Sequence, residues 1–173
     1  QPGFEPESVL TATLSLPSAR YEEDENLISF VDRALETARA IPGVETAGIV
    51  DSVPFGNRFN DSVILAEGYE MAPGESIISP TNCAVTEGYF EAMGIPLKGG
   101  RLFDRRDHSE SPRVVIVDQR LARRFWPGED PIGKRLYFPT DVGDLLKQPP
   151  EEEMITVVGL VGEIKMRRLV DYR

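Results

Sequence analysis

One cysteine, Cys83, stands alone in 173 residues, so no intrachain disulfide forms and oxidative crosslinking cannot replace a packed core. Inside "TNCAVT" a lone thiol reads as a small core side chain. Histidine is as scarce, with only His108, so a histidine-rich metal centre is excluded. Long apolar runs are missing too. The longest, "VVIV" (114–117) and "ITVVGLVG" (155–162), fall far short of the roughly 20 residues that span a bilayer. Basic residues are outnumbered, 19 against 29 acidic, for a formal charge of -10. That balance disfavours nucleic acid and anionic lipid as main partners. There is neither a signal peptide nor an initiating methionine. The chain reads as an excised piece, so absent targeting signals say nothing of where the parent protein resides.

What remains is the composition of a folded domain: 40% hydrophobic and 28% charged residues. "SVLTATLSL" (8–16) alternates, with Leu10, Ala12, Leu14 and Leu16 on one side and Thr11, Thr13 and Ser15 on the other. The pattern predicts a half-buried strand. Leu27, Phe30, Val31, Ala34, Leu35, Ala38 and Ile41 recur at helical spacing until Pro42-Gly43. Acidic residues 22–25 precede that helix, where carboxylates favour its N-terminus. "VETAGIVDSV" reads as a second strand. Further strands are expected in "SVILAEGYEM", "TNCAVT", "RVVIV", "KRLYF" and "MITVVGLVGEI". Short helices are expected over "EGYFEAMGI", closed by Gly94, and "DQRLARRFW", with Asp118 as N-cap. "PLKGGRLFDRRDHSESP" reads mostly as loop, as does the acidic stretch 139–153.

These elements predict an α+β fold of two ferredoxin-like βαβ units, residues 1–53 and 82–173, the latter including the closing strands. Between them lies a smaller insertion of loop and strand, residues 54–81.

"GEDPIGKR" (128–135) is one residue short of a nucleotide-binding P-loop. The context is inverted, however. A helix precedes and a strand follows, Arg135 stands where Ser or Thr would hold magnesium, and Glu129 and Asp130 repel phosphate. A turn fits better: Pro127-Gly128 ends the helix, Pro131 stiffens the corner and Gly133 admits the next strand. His108 with Asp104 or Asp107 is a candidate metal or hydrolytic group, but it lacks a full ligand set, and no G-x-S-x-G elbow accompanies it. Arg120, Arg123, Arg124 and Trp126 read as a solvated helix face with one anchoring aromatic. Large side chains on two loops, Phe55 and Phe59 on one, Tyr69 and Met71 on the other, are candidate partner contacts.

The stretches "GYFEAMGIPLKGGRLFDRRD" and "RVVIVDQRLARRFWPGEDPIGKRL" together resemble the extracytoplasmic core domain of MacB/FtsX-type ABC transporter permeases. The resemblance rests on Tyr89-Phe90, the step from Gly94 to Leu97, and the Gly100-Arg101-x-Phe103 turn. It continues through Val114 to Val117, the helix end from Ala122 through Trp126 and Pro127 to Gly128, and the turn from Asp130 through Gly133 to Lys134. "PGFEPESVLTATLSLP", "IPGVETAGIVDSVPFG" and "TVVGLVGEIK" extend it over nearly the whole chain. It implies a domain outside the cytoplasmic membrane, between membrane helices of a permease, with no catalytic residue and no cofactor of its own. It also implies that the insertion 54–81 is a separate inserted lobe. ATP would be hydrolysed by a separate cytoplasmic domain or subunit. The implied partners are that ATPase, a second permease copy, and a periplasmic adaptor or substrate. Members usually continue past the position of Lys165, so truncation at the C-terminus is expected. The competing reading is a free-standing extracytoplasmic metal-dependent hydrolase, or a secreted binding module.

Overall fold

The computed structural model describes residues 2–17, 21, 24–141 and 143–167. Its centre is the strand β7 (Ile155–Val161). The sequence ITVVGLV is rich in β-branched residues, and its side chains alternate between buried and half-buried positions, as a strand inside a sheet requires. The strand β5 (Val114–Asp118) runs parallel to β7 along one edge. The other edge is shared by two antiparallel strands, β6 (Arg135–Tyr137) at its start and β4 (Leu97–Gly100) at its end. β2 (Leu65–Ala66) extends the sheet beyond β6.

The parallel step from β5 to β7 needs a crossover, and the helix α3 (Gln119–Phe125) supplies it. Asp118 caps α3, its carboxylate accepting the Leu121 N–H at 2.8 Å, as the sequence predicted. Val115 and Val117 of β5 pack in a core with Phe125, Trp126, Leu136 and Val157. Ile116 points the other way, into a core of Tyr89, Phe90, Met93, Ile95 and Val161. Tyr89 and Phe90 belong to the short helix α2 (Tyr89–Ala92). The alternation of one strand thus feeds two separate cores.

A smaller antiparallel pair joins β1 (Asn60–Asp61) to β3 (Thr81–Asn82). Nearby, Val50 forms an isolated bridge with Val85, and the Thr86 N–H donates to the Ile49 carbonyl at 2.9 Å. The expected strand 44–53 is therefore reduced to this short pairing, and "TNCAVT" is a strand only at its first two residues.

Two expectations are corrected. Residues 97–100, expected in a loop, are β4, because the Arg101 N–H and the Gly162 N–H lock this segment across β7. Residues 8–16 are not a half-buried strand. They pair with no strand among the described residues, and Leu10 is 97% exposed and Leu14 57%. Alternation marks a strand only when a neighbour supplies hydrogen bonds. The helix α1 (Asp24–Arg39) forms where expected, yet Leu27 and Ile28 stay exposed and only Leu35 is buried.

Candidate functional site

Two glycines explain the best-defined loop. β4 ends where Gly100 takes a left-handed conformation with φ 69°, and a Cβ there would lie 2.2 Å from the Val158 carbonyl oxygen. A Cβ at Gly159 would lie 2.3 Å from the Arg101 carbonyl oxygen. Two backbones therefore cross at van der Waals limits, and only glycine fits at either place. The register between β5 and β7 slips at this point, pairing Val115 with Val157 but Ile116 with Gly159. Val158, the extra residue, offers its carbonyl to the Arg101 N–H at 2.9 Å.

Past the crossing, Arg101 grips Asp107 with both guanidinium nitrogens, at 2.6 and 2.7 Å. Asp107 also accepts the Asp104 N–H, and Arg106 holds Asp104 at 2.7 Å. The Arg101 hydrogen bond keeps the Asp107 carboxyl below its usual range, and Arg106 does the same for Asp104. Phe103 tucks its ring 6.4 Å from that of Phe90. Both aspartates proposed to work with His108 are thus committed to arginines. The His108 backbone N–H and carbonyl close a turn with the Ser111 hydroxyl, at 2.9 and 2.7 Å. Among the described residues, no three His, Cys, Asp or Glu side chains gather at one point.

Cys83 donates weakly to the Ser52 carbonyl at 3.5 Å. Burial, with the Asp51 charge adding to it, pushes its thiol up to about 11, so it stays protonated at neutral pH. That is the opposite of an activated nucleophile. The P-loop-like stretch is a turn: Asp130 accepts the Ile132 N–H at 3.0 Å, and Lys134 donates to Glu129 at 2.7 Å. The lysine that would reach a phosphate is paired with a carboxylate of its own loop. On α3, Arg123 pairs with Glu163 at 2.6 Å and Arg124 with Glu75. These pairs leave the helix a salt-bridged face rather than a basic patch.

The candidate partner residues separate into two environments. Phe55 has φ 59° and is 42% exposed, with its ring 5.9 Å from Phe4. Phe59 lies under the Arg167 guanidinium, 4.4 Å from its ring centre, and Arg167 also pairs with Asp61. Tyr69 turns inward instead. It packs edge-on against Phe125 at 5.1 Å and donates its hydroxyl to Glu75. Met71 is half-buried. Between β5 and residues 76–87 runs an open groove of about 2040 Å3, floored by Ile78, Phe103, Val115 and Phe138. Sequence reading missed this groove because it joins segments far apart in the chain.

The description "MacB-like periplasmic core domain" matches residues 6–170. The chain belongs to this family. Macrolide export ATP-binding/permease protein MacB of Neisseria gonorrhoeae is 41% identical over 54 residues, 31% of this chain and 8% of that protein. The same-named protein of Aggregatibacter actinomycetemcomitans is 30% identical over 73 residues, 42% of this chain and 11% of that one. The matches thus span about a tenth or less of the curated relatives. The crystal structure of the periplasmic region of MacB from Actinobacillus actinomycetemcomitans is similar in fold, with a TM-score of 0.50 at 18% identity, over 79% of this chain and 52% of that one. The α+β class expected from the pattern of strands and helices is therefore the class of the fold. No helix among the described residues is long and apolar enough to cross a membrane.

Proposed function

We propose that this MacB-like domain is a non-catalytic extracytoplasmic part of an ABC transporter permease. In this reading it passes movement of membrane helices to a substrate or adaptor outside the membrane. The observation that carries the proposal is the family match over residues 6–170. The pairing of Asp104 and Asp107 with arginines, of Lys134 with Glu129, and the protonated Cys83 thiol support it, since a site on His108 or a phosphate loop would draw on these groups. ATP hydrolysis then belongs to a separate cytoplasmic domain or subunit, and two permease copies work as a dimer. Flanking transmembrane helices tether the domain to the periplasmic or extracellular face of the cytoplasmic membrane.

Within it, residues 82–173 are one βαβ portion, 54–81 the inserted lobe, and 1–53 the counterpart of the other portion, reduced among the described residues to α1 and the Val50–Val85 bridge. Of the four candidate residues, the outward ring of Phe55 is the contact for a partner; Phe59 lies under Arg167 and Tyr69 is packed inward against Phe125. Reading the parent gene on both sides of this stretch is the test. An apolar span of roughly 20 residues before Gln1, and more after Arg173, is the expected result. Polar flanks bounded by start and stop codons overturn the permease reading.

A further inference from the structure

Val53-Pro54-Phe55-Gly56 closes a tight turn, the Gly56 N–H donating to the Val53 carbonyl at 2.9 Å. Pro54 holds the second position, and the third has φ 59°. A type II turn has this arrangement, and its third position ordinarily takes glycine or asparagine. Here it is Phe55. A bulky L-residue in left-handed backbone is strained. The glycine that would relieve the strain stands one place late, at Gly56. Strain of this kind persists only where the surroundings hold the residue in place.

Three stretches far apart in the chain meet around Phe55. Its N–H donates to the Met166 carbonyl at 2.7 Å, and its ring lies 5.9 Å from that of Phe4. The Lys165 N–H donates to the Pro2 carbonyl at 2.9 Å. Gly3 packs so closely that a Cβ there would run into the Glu163 carbonyl. At the far end of the loop Asp61 pairs with Arg167, whose guanidinium covers the Phe59 ring. The Thr81 hydroxyl holds Asp61 from behind, at 2.7 Å. Residues 2–4, 53–61 and 163–167 thus each touch the other two. Phe4 and Ile164 also pack against the core of Tyr89 and Phe90, so this junction sits at the margin of that core.

We infer that residues 53–61 are a clasp across residues 2–4 and 163–167, strained at Phe55, which opens as a unit before the sheet does. Its two sides are coupled. A displacement of residues 2–4 loosens 53–61, and loosening 53–61 frees residues 2–4, because linkage is reciprocal. The use of the clasp rests on the permease reading: there it is the point at which a displacement of residues 2–4 reaches the inserted lobe. The Phe55 ring is 42% exposed, so a partner that meets it acts on the clasp directly.

Phe55→Gly and Phe55→Ala in the 173-residue chain remove the same ring and differ in backbone freedom. Phe55→Gly is expected to melt about 2–4 °C or more above Phe55→Ala, the reverse of the ordinary order. Amide exchange reads the clasp itself. In the unmodified chain Phe55, Gly56 and Lys165 are expected to share one opening equilibrium. They should be less protected than Thr156 and Val157, which are bonded to the Arg113 and Lys134 carbonyls in the sheet. Gly3→Ala is expected to speed exchange at Phe55 and Gly56, and Phe55→Ala to speed it at Lys165, each by about two- to tenfold. The unmodified chain and the Phe55 pair decide the matter even where Gly3→Ala does not fold. The inference is overturned by Phe55→Ala melting at or above Phe55→Gly, or by Phe55 and Lys165 protected as strongly as Thr156. Unchanged exchange at Phe55 and Gly56 in folded Gly3→Ala also overturns it. Apolar flanks in the parent gene with uncoupled amides would keep the permease reading and remove the clasp; polar flanks with coupled amides would do the reverse.

Discussion

Trp126 closes the α3 helix and is 7% exposed, packed with Phe125 and Leu136 in the larger core. Its ring lies 5.9 Å from that of Phe125. Trp126→Ala is expected to lose about 3–5 kcal/mol of stability in urea unfolding. Asp107 acts through charge rather than volume. Its carboxyl is held below the unfolded value of 3.8, chiefly by the Arg101 hydrogen bond. A lowered carboxylate stabilises the fold above the unfolded value, and the gain is lost as pH falls from there through the folded value. Asp107→Asn is expected to destabilise the chain by about 1.5–3 kcal/mol at pH 7. Unfolding measured from pH 7 down to pH 2 should show the two proteins converging on the acid side. A constant gap across that range would show that Asp107 acts by packing alone. At this scale the sequence was readable where a residue's partner is local, as with the Asp118 cap. It was opaque for Arg101 and Asp107, because nothing in "GRLFDRRD" says which of three arginines turns inward.

The crossing of β4 over β7 makes the strongest demand on an element. Gly100→Ala must hold a side chain at φ 69°, which costs about 1–2 kcal/mol for an L-residue. The clash with the Val158 carbonyl, at 2.2 Å, adds to that figure. The expected result is a lower melting temperature and faster amide exchange along 97–100. An unchanged melting temperature would mean that the crossing is looser than described. β4 itself escaped sequence reading because "LKGG" lacks both alternation and β-branched residues; its pairing with β7 creates it. β7 was legible for the converse reason. ITVVGLV is a strand by its own composition, wherever it lies. The segment 8–16 shows the limit of pattern: it has a strand's alternation and, among the described residues, no strand to pair with.

Taken whole, the molecule has a well-packed sheet and a sparsely covered N-terminal quarter. The 16-residue α1 buries Leu35 and little else. A helix of that length is marginal without packing. Hydrogen exchange should therefore separate the two parts. Amides of α1 are expected to exchange through local opening, while those of β5 and β7 wait for global unfolding. Equal protection in both would mean that α1 is held by contacts the chain acquires in solution. The α+β class was legible from spacing alone, whereas the groove beside β5 required distant segments to be brought together. β7 also has a mechanical character. One of its edges is bonded along most of its length to β5, the other to β6 and then β4. A force along its axis loads these bonds simultaneously, in shear, whereas a force across the sheet would open an edge strand bond by bond. Tension applied lengthwise therefore moves the sheet as one stiff body before it tears.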